Sequence, residues 1–255
     1  MTGSARRRTG DSRYGDRVPL VAAAVCPHPP LLVPEVAGAA ALELDDLRAA
    51  CDTAVRRLVA SDPDVVVLLG TGPVTGPIRP PATGSLQPWG VDLYVPLAPG
   101  QPDRGAVLPL SLTIGAWLLS RHALRAPVTA VQVAADAGPA ELAGLADQVD
   151  AAGDRVAALV LGDGSACRGE KAPGYDDARA LPYDQGVAAA LADADLDALL
   201  DLDPVVSAEL KAAGRAPWQV LAGAARAAGS PWRGELLHDS VPYGVAYFVA
   251  SWERA

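Results

Sequence analysis

The sequence predicts a single α/β domain in which a twisted, mixed, mostly parallel sheet is flanked by helices. Segments rich in β-branched residues alternate along the chain with stretches rich in alanine and leucine, which is typical of a largely parallel sheet. Half of the 255 residues are hydrophobic and only 5% are aromatic. We therefore expect a large core built mainly from alanine, valine and leucine, in which helices pack closely on the sheet.

Short runs of valine, leucine and alanine predict seven strands. They are residues 20–26, 65–69, 91–95, 128–134, 156–161, 235–238 and 245–250. Apolar residues at helical spacing, and prolines at first helical positions, predict six helices. They are residues 44–60, 109–124, 139–151, 184–191, 204–213 and 217–228.

Two long segments, 71–90 and 162–182, contain no predicted element. Each follows the end of a predicted strand, which is where open α/β sheets bind ligands. The second segment begins with a glycine-rich stretch, but Glu170 stands where a phosphate-binding loop requires lysine. A nucleotide site of that kind is therefore not expected.

Charge is unevenly distributed along the chain. The formal net charge is −9, yet residues 1–17 hold five arginines against two aspartates. We predict a disordered basic tail over residues 1–17, followed by the α/β domain over residues 18–255. Because the acidic body would repel a phosphate backbone and shows no basic stripe interleaved with aromatics, nucleic acid is not an expected partner.

Cysteine usage and hydropathy bear on localisation. The three cysteines are an odd number in a long chain, which fits free thiols in a reducing cytosol. The arginines at 6–8 precede an apolar stretch of only about eight residues, without the cleavage site of an export signal. No run reaches the roughly 18 apolar residues that span a membrane. We predict a cytoplasmic protein without a membrane partner, and the sequence does not indicate its oligomeric state.

Histidine is scarce, and the three positions, 28, 122 and 238, differ in their sequence surroundings. His28 leaves the first strand between prolines that fix the backbone, which suits a metal ligand, an acid–base group or a hydrogen-bonded loop residue. His238 precedes Asp239 and is either oriented by a carboxylate or a strand-end residue. His122 is predicted to lie at the surface or at a helix end.

A family resemblance rests on residues 26–35, which read Cys-Pro-His-Pro-Pro-Leu-Leu-Val-Pro-Glu. This stretch resembles the first metal-ligand segment of class III extradiol ring-cleaving dioxygenases, the LigB superfamily, which includes Memo-like proteins. The similarity continues in order through residues 64–70, 162–168, 214–217 and 239–247, and covers about residues 18–252. The first and last of these motifs are the most specific.

The resemblance implies a non-haem Fe(II) held by two histidines and a carboxylate, with a further histidine as acid–base group. Residue by residue, His28 matches the first ligand, and Glu235 falls near the carboxylate ligand. Thr71 stands in the segment where the second histidine ligand is expected. In the loop after residue 161, which begins with Asp163, Ala166 stands where the acid–base imidazole is expected.

The resemblance also implies a pocket at which His28, Thr71, Asp163 and Glu235 converge. His28, Asp163 and His238 are then the candidate catalytic residues, and His28 and Glu235 are the candidate metal ligands. Because two imidazoles are missing, we expect a LigB-like protein with an incomplete iron site, which binds a small aromatic or other small molecule or has altered chemistry.

The alternative is an active Fe(II)-dependent ring-opening dioxygenase, an oxidoreductase with a third ligand placed elsewhere. Cys26, Cys167 or His238 could complete such an altered site, and a thiolate would favour zinc or copper over iron. The sequence leaves open whether the protein is an enzyme.

Overall fold

A computed structural model describes residues 19–98, 100 and 105–255. The basic tail predicted over residues 1–17 lies outside these residues. In the described part the chain forms one α/β domain around a large mixed sheet, as the sequence predicts.

The main sheet has seven strands. They are β1 (Leu20–Cys26), β2 (Val65–Thr71), β3 (Gly76–Ile78), β7 (Val128–Val133), β8 (Val156–Leu161), β9 (Trp232–Ser240) and β10 (Tyr247–Arg254). Their spatial order is β3-β7-β2-β8-β1-β10-β9. The central block β7-β2-β8-β1 is parallel, whereas β3, β10 and β9 pair antiparallel. Strand β8 is buried along its whole length, which explains its continuous run of apolar residues.

A second, separate sheet has three short strands. Its strands are β4 (Ala82–Ser85), β5 (Tyr94–Pro96) and β6 (Ala106–Val107), with β4 in the middle. Segment 71–90 therefore contains β3 and β4, which were not predicted because each has only three or four residues. The strand predicted at 91–95 belongs to this small sheet.

Helices cover both faces of the main sheet. They are α1 (Pro34–Ala37), α2 (Asp45–Ala60), α3 (Leu110–Ser120), α4 (Pro139–Asp150), α5 (Ala180–Asp193), α6 (Leu196–Leu200), α7 (Pro204–Glu209) and α8 (Arg215–Ala227). Helices α2 and α3 bury one face in one hydrophobic core, and α4, α5 and α8 bury the other face in a second. Among the described residues, no helix combines the length and the apolar character that crossing a membrane requires.

Helix α7 is shorter than predicted. The sequence pattern predicts a helix over 204–213, but α7 ends at Glu209 and Lys211 has a φ of +56°. A left-handed residue cannot continue a right-handed helix. The chain turns there and runs across the ends of the parallel strands before α8 begins.

Candidate functional site at the carboxyl ends of the parallel strands

The sheet has a topological switch point between β2 and β8. These neighbouring parallel strands lead to opposite faces, because the chain after β2 reaches α3 and the chain after β8 reaches α5 and α8. Open α/β sheets bind ligands outside the carboxyl ends of the strands at such a point. His28, Thr71 and Asp163 lie at this edge, since they end or directly follow β1, β2 and β8.

His28 and Asp163 form a close pair. Cys26 and Leu161 are opposite each other in the parallel strands β1 and β8, and each member of the pair lies two residues further along its chain. The backbone N–H of His28 donates to Oδ1 of Asp163 at 2.8 Å. Nδ1 of the imidazole lies 3.4 Å from the same oxygen. The carboxylate therefore fixes the backbone at the strand exit and faces Nδ1, so that Nε2 is the ring nitrogen turned away from it.

Burial controls the electrostatics of this pair. It raises the pKa of Asp163, and the charge and backbone N–H of His28 oppose that rise. Burial also raises the pKa of Tyr247, and the negative charge of Asp163 adds to this effect. The Tyr247 hydroxyl therefore remains a neutral phenol at physiological pH, beside a carboxyl group whose ionisation depends on His28.

The chain segment 213–215, called the crossing segment below, lies across the ends of β2 and β8. The N–H of Gly214 donates to the carbonyl of Asp163 at 2.8 Å, and Oγ1 of Thr71 donates to the carbonyl of Ala213 at 2.6 Å. A Cβ atom at Gly162 would lie 2.4 Å from Cα of Gly214. The approach requires glycine at both positions, since Cβ at Gly214 would meet the ring of Trp218 at 2.1 Å.

A buried polar network anchors the loop after β8. Asp184 on α5 is 2% exposed and accepts hydrogen bonds from N and Oγ of Ser165, at 2.8 and 2.6 Å. Nη1 of Arg168 donates to the same carboxylate at 3.1 Å. Burial raises the pKa of Asp184, and the Ser165 hydrogen bonds oppose the rise. The network holds the loop that carries Asp163.

The predicted convergence of four residues is realised only in part. His28 and Asp163 are in contact, and Thr71 reaches Asp163 through the crossing segment. Glu235 does not join them: it lies in β9, and its carboxylate is 2.5 Å from Nη1 of Arg57, in the last turn of α2. The carboxylate of Glu235 is therefore paired with Arg57 and is not brought together with His28.

The other predicted side chains also have different partners. Nε2 of His238 lies 2.8 Å from Oγ of Ser240, and burial lowers the pKa of this imidazole. Cys26 lies against Cys51 in the core, where burial raises the pKa of the Cys51 thiol. Sγ of Cys167 lies 3.4 Å from the carbonyl oxygen of Leu210. Within the described part of the chain, no three His, Cys, Asp or Glu side chains form a group able to hold a metal ion.

Sequence reasoning did not single out several residues that build this edge. Asp184 carries no motif of its own, and Tyr247 enters the sequence analysis only as the last residue of the motif at 239–247. Arg215 is 3% exposed, and a signal for it did exist, because this arginine directly precedes the largely apolar run Ala-Pro-Trp-Gln-Val-Leu at 216–221, whose residues are buried in α8. The motif Gly-Arg-Ala-Pro at 214–217 contributes to the family resemblance only through its order in the chain, which does not indicate a role for Arg215.

Comparison with solved structures extends the fold assignment. The chain is similar to JW3007, an uncharacterized protein from Escherichia coli K12, with a TM-score of 0.54 and 14% sequence identity. The match covers 91% of this chain and 99% of the other. At this identity the likeness shows a shared fold alone. No protein-family model matches the sequence, and no curated protein matches it significantly.

Proposed function

We propose that this chain is a cytoplasmic LigB-like protein with an incomplete iron site, and that it binds a small molecule where β1, β2 and β8 end. His28, oriented by Asp163, is its acid–base group. The motif at residues 26–35 supports the family, and the topological switch point supports the location. The observation that carries the proposal is the hydrogen bond from the backbone N–H of His28 to Asp163, which places the imidazole 3.4 Å from the same carboxylate oxygen.

The chemistry available to the pair follows from its geometry. A carboxylate 3.4 Å from Nδ1 favours one orientation of the imidazole, as in other carboxylate-oriented histidines. Nε2 can then accept a proton from a bound ligand or donate one to it. Side-chain exposure is 11% for His28 and 16% for Asp163, so little water competes with a ligand for either group.

The residues at this edge do not fit the iron centre that the family resemblance implies. That centre needs two imidazoles and one carboxylate. His28 and Asp163 supply one of each, the hydroxyl of Thr71 is bonded to a backbone carbonyl, and Ala166 offers only a methyl group. We therefore assign no step to a metal and propose binding or altered chemistry instead of ring cleavage.

The test begins with iron and catechol chemistry. Protein purified without a histidine tag is analysed for metals, reconstituted anaerobically with Fe(II) and assayed for protocatechuate cleavage. We expect substoichiometric iron and no ring opening, since a missing ligand removes the metal on which cleavage depends. Stoichiometric iron and rapid ring opening, both lost in His28→Ala, would contradict the proposal and favour the active dioxygenase.

Binding is measured in parallel by isothermal titration calorimetry with protocatechuate as the probe. His28→Gln keeps a polar side chain but removes the base, and we expect it to weaken binding about tenfold. His238→Gln is the matched control, because it removes an imidazole that is bonded to Ser240. Equal effects of the two variants would show that the probe does not bind beside His28.

A further inference from the structure

A cavity lies beside the crossing segment, at the ends of β2 and β7. Its volume is about 270 Å³. Its walls carry two cations, Lys211 and Arg215, two hydroxyls, Thr71 and Ser207, and otherwise alanine. No acidic residue of the described chain lines it, although the protein as a whole has a net charge of −9.

Arg215 is a buried charge whose hydrogen-bond partners are all neutral. Nη1 donates to the carbonyl of Ala137 at 3.2 Å and to Oε1 of Gln219 at 3.0 Å, and Nη2 donates to the carbonyl of Ala135. These bonds use three of the five N–H groups of a guanidinium. Within the described residues, no carboxylate lies within 4.0 Å of it. Asp136 attracts Arg215 only from beyond that distance, so the cost of burying the guanidinium is partly offset within the chain, and a bound anion would offset more of it.

Lys211 adds a second positive charge to the cavity wall. Its Nζ donates to the carbonyl of Pro173 at 3.2 Å, and no carboxylate of the described chain lies within ion-pair distance. The two hydroxyls are already engaged as donors, since Thr71 bonds to Ala213 and Ser207 to the carbonyl of Asp203. The cations are therefore the groups that can donate to a ligand here.

The geometry points to this cavity as the binding site for the anionic group, a carboxylate or a phosphate, of a small organic molecule. Arg215 holds the anion as a planar donor and Lys211 as a point charge. This inference rests on the proposed small-molecule function, for which it supplies the chemical class of the ligand. It does not depend on the acid–base role of His28.

A larger neighbouring cavity also borders Arg215, and neither His28 nor Asp163 lines it. It measures about 570 Å³, shares Arg215 with the smaller cavity and has an apolar wall that includes Leu142, Leu200 and Leu202. Three aspartates, at 136, 201 and 203, also line it. Because these carboxylates would repel an anion, we assign the anionic group to the smaller cavity.

The experiment titrates the full chain with inorganic phosphate and, separately, with benzoate, at constant ionic strength set by sodium chloride. Amide chemical shifts are followed by NMR in the wild-type protein. We expect saturable changes concentrated at residues 71, 135 and 207–216. A stronger response to phosphate or to benzoate then identifies which anion the site prefers. Absence of saturation, or shifts spread over many exposed basic residues, would overturn the inference.

Variants test whether anion binding depends on Arg215 or on arginines elsewhere in the protein. Arg215→Gln removes the buried charge, and we expect it to weaken anion binding about 10- to 100-fold. Arg155→Gln is the matched control, because Arg155 also donates to backbone carbonyls, those of Ser61 and Asp62, but lies before β8. If Arg215→Gln does not fold, Lys211→Met is the second variant, because Lys211 is exposed. We expect it to weaken anion binding less than Arg215→Gln would.

The outcomes distinguish this inference from the proposed function. If neither anion binds while protocatechuate binding still depends on His28, the anion site is refuted and the proposed function stands. If the anions bind through Arg215 and the His28 variant changes nothing, the role of His28 is refuted and the anion site stands. Equal anion binding by the Arg215 and Arg155 variants would overturn the inference.

Discussion

Replacement of Gly162 by alanine tests the packing that brings the crossing segment to the strand ends. The new Cβ would lie 2.4 Å from Cα of Gly214 and 3.0 Å from Nε1 of Trp218. Carbon atoms in favourable contact are about 3.5–4.0 Å apart, so the segment must retreat by roughly 1 Å. Overpacking of this kind costs about 1–3 kcal/mol.

The same retreat stretches two hydrogen bonds, from Gly214 N–H to Asp163 and from Thr71 to Ala213. Each contributes about 1 kcal/mol, which brings the expected loss in the free energy of unfolding to about 3–5 kcal/mol. For a chain of this size that corresponds to a fall in Tm of roughly 10 °C. Urea unfolding and differential scanning calorimetry measure both quantities.

A matched control makes the same chemical change where there is space. Gly186 lies in α5, and nothing lies within 4 Å of a Cβ built there. Gly186→Ala should stabilise the protein by about 0.5–1 kcal/mol, because alanine is the better helix former. If Gly162→Ala were as stable as the wild type, the close approach of the crossing segment to β8 would be refuted.

Two further predictions concern the buried carboxylates. Asp184→Ala leaves Ser165 and Arg168 without their acceptor, so it should lower the free energy of unfolding by about 3 kcal/mol. The control is Asp197→Ala at the surface, which should lower it by less than about 1 kcal/mol. Equal losses in urea unfolding would contradict the role of the network. Burial raises the pKa of Asp163 above its ordinary 3.8, so its contribution to stability is greatest below about pH 4 and is lost as the pH rises through the raised value. Asp163→Asn should therefore lose less stability than the wild type between pH 4 and pH 7, and a steeper loss in the variant would refute the reasoning.

The fold was largely predictable because its strands differ sharply from its helices in sequence. Residues 20–26 and 156–161 were predicted with the bounds that β1 and β8 have, since both are uninterrupted apolar runs between polar or proline-containing segments. Strands β3, β4 and β6 were missed. They have two to four residues each, and a run that short carries no recognisable periodicity.

The candidate site was less predictable, for a physical reason. His28 and Asp163 could be singled out because each follows a strand of the parallel block, and the structure brings them together. Glu235 was paired with His28 from the family resemblance alone. The sequence holds no sign that Arg57, 178 residues away, would take its carboxylate. Arg215 was not identified for a related reason: it is buried and has no ion-pair partner within 4.0 Å in the part of the chain that the structure describes, which only three-dimensional packing reveals.

The position of β10 beside β1 has a consequence for synthesis on the ribosome. The parallel block is complete once residues 20–161 have been made, but its outer edge, β1, pairs with residues 247–254. Until those residues emerge, an apolar strand with unpaired backbone groups borders the nascent sheet. Such an edge can pair with another chain, so we expect the incomplete chain to aggregate more readily than the finished protein.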